Sequence, residues 1–334
     1  MFVKKREFPH EVVVRNALLR RLPMNHKKRE LIRADNAKDI AGYRGERTLD
    51  YYLKPLSNQN FTIFPNLRLI LNEQAFQIDT LILTRSFFLL IEAKDITGTL
   101  TFDSIFDQFT RTDRDVETRY KHPITQVKRQ GALLKSWFQR YGTPPLPFNY
   151  LAAFTNPTTI LKTNSIDHPE NKNILLVENV SHRILELKKA NKLDIMSTSE
   201  HRKLTSKLLQ SHTNAAPNML QEYNISPQEL ITGVQCEKCS SFTMKEMERS
   251  WECSVCHHRS LTAHKPALLD YFLLISPTIT NAECREFLKI TSRHKAKRYI
   301  QSMEVTASGS KKGQRYHWRG YKQVKSGLPL LSRD

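Results

Sequence analysis

The chain is 334 residues long, carries 52 Lys and Arg against 33 Asp and Glu for a net charge of +19, and is 39% hydrophobic. That length exceeds one typical domain and predicts two or three. No apolar run approaches the roughly 18 residues that cross a bilayer, and the opening MFVKKREFPHEVVV lacks a secretory leader, so the expectation is a cytoplasmic, non-membrane protein whose basic surface meets nucleic acid.

Charge gathers at the ends, +6 within residues 1–35 and +9 within 265–334, which leaves a nearly neutral middle. Residues 1–37 read as a basic helical arm in which Val12, Val13, Leu18, Leu19 and Leu22 form an apolar stripe. Residues 41–56 read as a helix with Gly42 and Gly45 at its start, Glu46 early in it, and Leu49, Tyr52 and Leu53 at helical spacing before Pro55. Strands are expected over 76–83 and 87–94 from alternating and then continuous apolar character. Residues 98–119 are polar and read as a surface excursion or a short strand with a loop. Pro123 opens a helix through Trp137, with Gln126 and Gln130 one turn apart on one face. Apolar runs at 150–154 and 174–177 read as further strands, and 181–189 and 199–209 as helices. This order predicts an α/β sandwich around a small mixed sheet.

After Pro227 the character changes. Cys236-x2-Cys239 and Cys253-x2-Cys256, thirteen residues apart, are two knuckles at nearly zinc-ribbon spacing. Four thiolates suit tetrahedral Zn²⁺, whereas disulfides do not suit a cytoplasmic chain. The string CSVCH also fits a c-type haem attachment pattern, but that would need export and would leave Cys236 and Cys239 without a task. Cys284 stands alone and reads as core. From residue 265 onward a winged helix-turn-helix is expected: an apolar helix over 266–274, a capping box from Thr280 to Glu283 opening a second, and Ser292 capping a third. In the third helix Ala296, Tyr299, Ile300 and Met303 form the buried stripe, and Arg293, Lys295, Lys297 and Arg298 are candidate nucleic-acid contacts. A hairpin over 305–318 would carry Lys311 and Lys312 at its tip. Such cations hold phosphates without reading sequence; a solvated helix face and a loop are the alternative. The expected divisions are 1–37, 38–225, 230–262 and 263–322.

The chemistry centres on Asp79, Glu92 and Lys94. If Arg85 and Ser86 form a two-residue hairpin loop, Asp79 falls opposite Glu92, with Cβ atoms about 4.5–5.5 Å apart, and Lys94 joins the same face because the strand period is two. Two buried carboxylates at that distance destabilise each other unless a positive charge intervenes. Mg²⁺ or Mn²⁺, hard cations that favour carboxylate oxygen, would supply it, and Lys94 would orient or deprotonate water or stabilise the transition state of phosphodiester hydrolysis. A structural pair salt-bridged to Lys94 is the competing reading, as a helix-dipole role is for Glu46. No P-loop, G-x-S-x-G elbow or HExxH motif is present.

The pattern Asp-x12-Glu-x-Lys resembles the PD-(D/E)xK restriction-endonuclease-like superfamily. The wider set Gly42-x-x-Gly45-Glu46, Gln77-Ile78-Asp79, Ile91-Glu92-Ala93-Lys94 and Pro123-Ile124-Thr125-Gln126 resembles the nuclease-related domain (NERD) family over roughly residues 38–160. Ile78 stands where the superfamily has proline. The resemblance implies an α/β restriction-endonuclease-like core, a mixed sheet flanked by helices, followed by zinc ribbon and winged-helix modules. It also implies that Glu46 lies near the metal and that Gln126 is an active-site residue. The resulting expectation is a metal-dependent DNA endonuclease, with RNA left open as substrate and a homodimer left open as the means of cutting both strands. A non-catalytic DNA-binding regulator with a degenerate nuclease core is the alternative.

Overall fold

The structure is a computed structural model that describes residues 1–58, 60–214, 217–310 and 313–320. Helices α1 (His10–Arg21) and α2 (Arg29–Leu53) precede strands β1 (Thr62–Leu71), β2 (Gln74–Leu83) and β3 (Phe88–Lys94). Strands β4 (Gly98–Asp103), β5 (Gln108–Asp113) and β6 (Val116–Tyr120) follow, then α3 (Pro123–Arg140), β7 (Phe148–Phe154), β8 (Thr159–Thr163) and β9 (Ile174–Leu176). Next come α4 (Val180–Ala190), α5 (Thr198–Ser211), α6 (Met219–Glu222), β10 (Met244–Glu246), β11 (Trp251–Cys253) and β12 (Arg259–Ser260). The last elements are α7 (His264–Leu274), β13 (Thr278–Thr280), α8 (Asn281–Leu288), α9 (Arg293–Gln301), β14 (Val305–Ser308) and β15 (Arg315–Trp318). Among the described residues no helix is long and apolar enough to cross a membrane. Two compact units emerge: Met1–Pro9 with Ala37–Ala215, and His10–Asn36 with the described residues from 217 onward.

The first unit is built on a mixed sheet of order β1-β2-β3-β7-β9, antiparallel through β3 and parallel from β3 to β7 to β9. Strand β3 is an unbroken apolar run because both its faces are covered. Phe88 and Leu90 pack towards α3 with Val127, Leu134 and Trp137, while Leu89 and Ile91 pack with Leu49 and Leu53 of α2 and Ile184 of α4. Period two then turns Glu92 and Lys94 to the α3 side. Residues β2 and β3 pair from Leu83↔Phe88 to Thr80↔Ile91, and one further step of that register sets Asp79 opposite Glu92. The turn between them is pinned by Thr84, whose Oγ1 accepts from the amides of Ser86 and Phe87 at 3.1 and 2.9 Å.

Residues 98–120 form three strands, more than the surface excursion or the short strand with a loop expected there. Strands β4, β5 and β6 form a second sheet with β8, in the order β6-β5-β4-β8. One face buries Leu100, Phe102 and Phe109 and the other is solvated, so threonine and charge dominate the sequence while the β-branched alternation persists. Arg114 and Asp115, at φ of 49° and 63°, make the two-residue turn between β5 and β6, a backbone shape usually given to Asn or Gly.

In the second unit Val14, Ala17 and Leu18 of α1 and Leu22 just after it pack with Met219, Leu220, Tyr223 and Leu274; Val13 is only half-buried and Val14 takes the core position. Strands β10-β11-β12 carry the cysteine region, and β13-β15-β14 form a sheet beside α7, α8 and α9. One continuous core contains Cys236, Met244, Trp251 and Cys253 together with Leu268, Phe287, Ala296 and Ile300. The Thr280–Glu283 capping box and the Ser292 cap both form.

Candidate active site and cysteine cluster

Glu92 is the buried centre of the candidate site, its side chain 2% exposed. Its Oε1 accepts from Lys94 Nζ at 2.6 Å, and its Oε2 accepts from Gln130 Nε2 at 3.4 Å. Lys94 also donates to Gln126 Oε1 at 3.1 Å. The two glutamines reach inward because α3, started by Pro123 after the His122 cap, presents residues four apart on one face. Asp79 Oδ2 accepts from the Ala93 amide at 3.1 Å, and its carboxyl lies close enough to Glu92 for their charges to interact.

Glu46 arrives from α2. That helix starts at Arg29, so Glu46 lies deep within it, and a first-turn dipole role does not apply. Gly45 explains the close approach: a Cβ there would lie 2.6 Å from Thr155 Oγ1 and 2.8 Å from Asp95 Cβ. By contrast, nothing lies within 4 Å of a Cβ at Gly42.

The residue that sequence reasoning missed is Arg6. Its side chain is 2% exposed. Nε and Nη2 grip both oxygens of Asp50 at 2.9 Å each, Nη1 donates to Glu46 and to the Asp79 carbonyl at 3.0 Å, and Nη2 also reaches Thr80 Oγ1 at 2.9 Å. A cation of the basic N-terminal arm is thus a strut between α2 and β2. Arg15, Arg21 and Arg29 are likewise buried. Arg21, for instance, binds Asp270 Oδ2 at 2.8 Å and the Gly233 carbonyl at 2.7 Å. Four of the cations near the N-terminus therefore serve the fold. The available signal was the setting of Arg6 between Val3 and Phe8, outside any helical pattern.

The electrostatics are those of an acidic site short of positive charge. Burial raises the Glu92 carboxyl to about 8, with the Asp79 charge adding and Lys94 opposing. Burial, then Asp79, raise Glu46 to about 7 against Arg6. Asp79 is raised as well, by burial, against Lys94 and the Ala93 amide. Desolvated carboxylates facing one another hold on to protons unless a cation joins them. The oxygens of Asp79 and Glu92 are the hard donors a small divalent ion takes, so the residues present fit such an ion.

In the second unit the four sulfurs of Cys236, Cys239, Cys253 and Cys256 all lie within 4.8 Å of one another and could hold a metal ion. All are free thiols. The Thr243 hydroxyl, ahead of other hydrogen bonds, lowers Cys253 to about 5. For Cys256 the His258 amide pulls down, but burial and the other three thiols outweigh it and push it up to about 12. Four sulfurs this close ionise together only around a cation.

The candidate nucleic-acid residues of α9 do not behave alike. Arg293, Lys297 and Arg298 are exposed, whereas Lys295 donates to the Met247 carbonyl at 2.8 Å and sits 3.8 Å from Glu246. Lys311 and Lys312 lie outside the described residues.

Residues 41–155 match the family model described as nuclease-related domain, a segment that contains Glu46, Asp79, Glu92, Lys94 and Gln126. No curated protein and no solved structure matches the chain.

Proposed function

We propose that the first unit is a Mg²⁺- or Mn²⁺-dependent endonuclease acting on DNA, and that the second unit, a zinc ribbon joined to a winged helix, docks it there. The observation that carries the reading is the Asp79–Glu92–Lys94–Gln126 network inside the matched segment, on a sheet whose mixed order suits a restriction-endonuclease-like core. Asp79 and Glu92 would hold the ion, with Glu46 behind them. The ion supplies Lewis acidity towards a phosphate oxygen and a more acidic water.

The chain's own groups supply the rest. Lys94 is fixed by two acceptors, Glu92 and Gln126, so its ammonium is aimed and does not wander. It is placed to orient water for attack at phosphorus and to offset the charge that builds on the phosphoryl oxygens. Water adds to phosphorus, one P–O ester bond breaks, and the leaving oxygen takes a proton. Gln126 and Gln130 hold the two charged partners in register, and Arg6 keeps α2 against β2. The four cysteines would bind Zn²⁺ and keep strands β10–β12 in place.

One observation favours a second reading, a non-catalytic DNA-binding protein: Arg6 already provides a permanent positive charge beside Glu46 and Asp79, as a retired centre would. Both readings meet one experiment. Supercoiled, linear and single-stranded DNA, and RNA, are incubated with purified protein and Mg²⁺, Mn²⁺ or chelator, alongside Asp79→Asn, Glu92→Gln and Lys94→Ala. Metal-dependent cleavage lost in all three variants, with binding retained, supports the nuclease; cleavage at wild-type rate in all three refutes it.

A further inference from the structure

The second unit contains a cavity of about 300 Å³ to which three separate stretches of chain bring a cation: Arg249 before β11, Lys265 in the first turn of α7, and Arg298 on α9. Among the described residues no Asp or Glu lines it. Arg298 lies over the Tyr299 ring at 5.5 Å, but three like charges gathered round one hollow repel one another unless an anion enters. Ser250, Thr262 and Ser302 also line it, beside Trp251, His264 and Tyr299.

Two further features point the same way. Helix α7, eleven residues long, opens on this cavity without a side-chain cap, so its positive end faces the hollow. The lining also has unmet hydrogen-bonding capacity. Trp251 and His264 are 1% and 5% exposed, yet among the described residues Trp251 Nε1 and His264 Nδ1 have no hydrogen-bond partner. Ser302 Oγ spends its proton on the Tyr299 carbonyl at 2.7 Å, so it must accept from His264 Nε2 at 3.2 Å, which leaves Nδ1 with a bare lone pair. A buried donor and a buried acceptor left open are costly in a finished core, and they suit a site completed by a ligand and its ordered water.

We propose that this cavity binds the phosphate group of a nucleotide, either free or within a nucleic-acid strand. The strand as source rests on the reading that the second unit meets nucleic acid; phosphate binding itself does not. Arg298 is thereby assigned to a cavity shared with Arg249 and Lys265, in a role distinct from the open helix face of Arg293 and Lys297.

The test uses the full-length, zinc-loaded chain and calorimetric titration with inorganic phosphate, with AMP, and with a 5′-phosphorylated oligonucleotide. It compares the wild type with the triple variant Arg249→Gln, Lys265→Gln, Arg298→Gln and the control Arg293→Gln, Lys297→Gln. Phosphate and AMP are expected to saturate the wild type and the control but not the triple variant. If a strand phosphate is the source, the triple variant loses roughly 30-fold in oligonucleotide affinity and the slope of log K against log salt falls by about 1 to 2. Loss of AMP binding with unchanged oligonucleotide affinity assigns the site to a free nucleotide. The proposal is overturned if the triple variant titrates with all three ligands as the wild type does. Should the triple variant melt early or lose zinc, single Lys265→Gln and Arg298→Gln variants take its place, each expected to lose roughly threefold to tenfold, with no loss in either overturning the site. None of these readouts involves hydrolysis, so a failed nuclease reading leaves them interpretable.

Discussion

Replacing Arg6 by Met keeps a flexible side chain of similar length and removes every donor. The native guanidinium serves Glu46, both oxygens of Asp50, the Asp79 carbonyl and Thr80. Removing one member of a buried ion pair costs about 3–5 kcal/mol, because the partner is left charged and desolvated. Here the carboxylates of Glu46 and Asp50 are each 18% exposed, so water can partly replace the lost partner, and the low end, about 3 kcal/mol, applies. For a domain of this size 1 kcal/mol moves Tm by about 2–4 °C, so the expected fall is about 6–12 °C by circular dichroism. Arg6→Lys should recover less than half of it, since one ammonium cannot serve a bidentate carboxylate and a carbonyl together. In a double-mutant cycle with Asp50→Asn the two losses should overlap by about 1–3 kcal/mol. A Tm within about 2 °C of wild type for Arg6→Met would show that the acidic cluster does not need its guanidinium.

Gly45→Ala should lower stability by about 1–3 kcal/mol through its collision with Thr155 Oγ1 and Asp95 Cβ; Thr155→Ala should restore part of the lost denaturation midpoint, and a neutral Gly45→Ala would refute the close approach. Lys94→Ala should slow any metal-dependent cleavage by about 10²–10⁴-fold with binding unchanged, read from plasmid nicking beside gel shift. His264 lies buried beside Lys265 and Arg298, and burial first, then those charges, lower it to about 4 from 6.5. The unfolded chain therefore binds the proton more readily, so this contribution is intact above about pH 6.5 and is lost as pH falls towards 4. A loss of order 2 kcal/mol, allowing for solvent screening, should vanish in His264→Phe when urea melts at pH 7 and pH 4.5 are compared. With zinc held by the four cysteines as proposed, a chelator should shift Trp251 emission to the red and release one equivalent of zinc, and Cys236→Ser should start in that state; a chelated protein with native emission would refute a structural role for a metal there.

The part of the site lying on regular strands was legible. An unbroken apolar β3 and a two-residue turn were enough to set Glu92, Lys94 and Asp79 together, because register follows from the turn. Strand β1 was missed because Pro65 and Asn66 interrupt it; Asn66, at φ 49°, stands opposite Asp79 where the ladder breaks. The β4–β6 sheet was missed because its solvated face filled the sequence with Thr, Arg and Asp. Arg6 was illegible for a different reason. Its partners are 40 to 74 residues away, and no periodicity connects an arginine to a distant acid. The same blindness made net charge a poor guide near the N-terminus, where Arg6, Arg15, Arg21 and Arg29 are consumed internally and Lys295 of α9 is partly so.

The Arg6 strut also sets a timetable. As the chain is synthesised from its N-terminus, this guanidinium appears first and stays without its acids until α2 and β2 have been made, and Lys94 comes later still. Closing contacts across such separations is entropically slow, so the centre is a late product of folding. A nascent or truncated chain that stops short of β3 holds no assembled cluster, and the Glu46, Asp79, Glu92 and Lys94 side chains meet only in a finished domain.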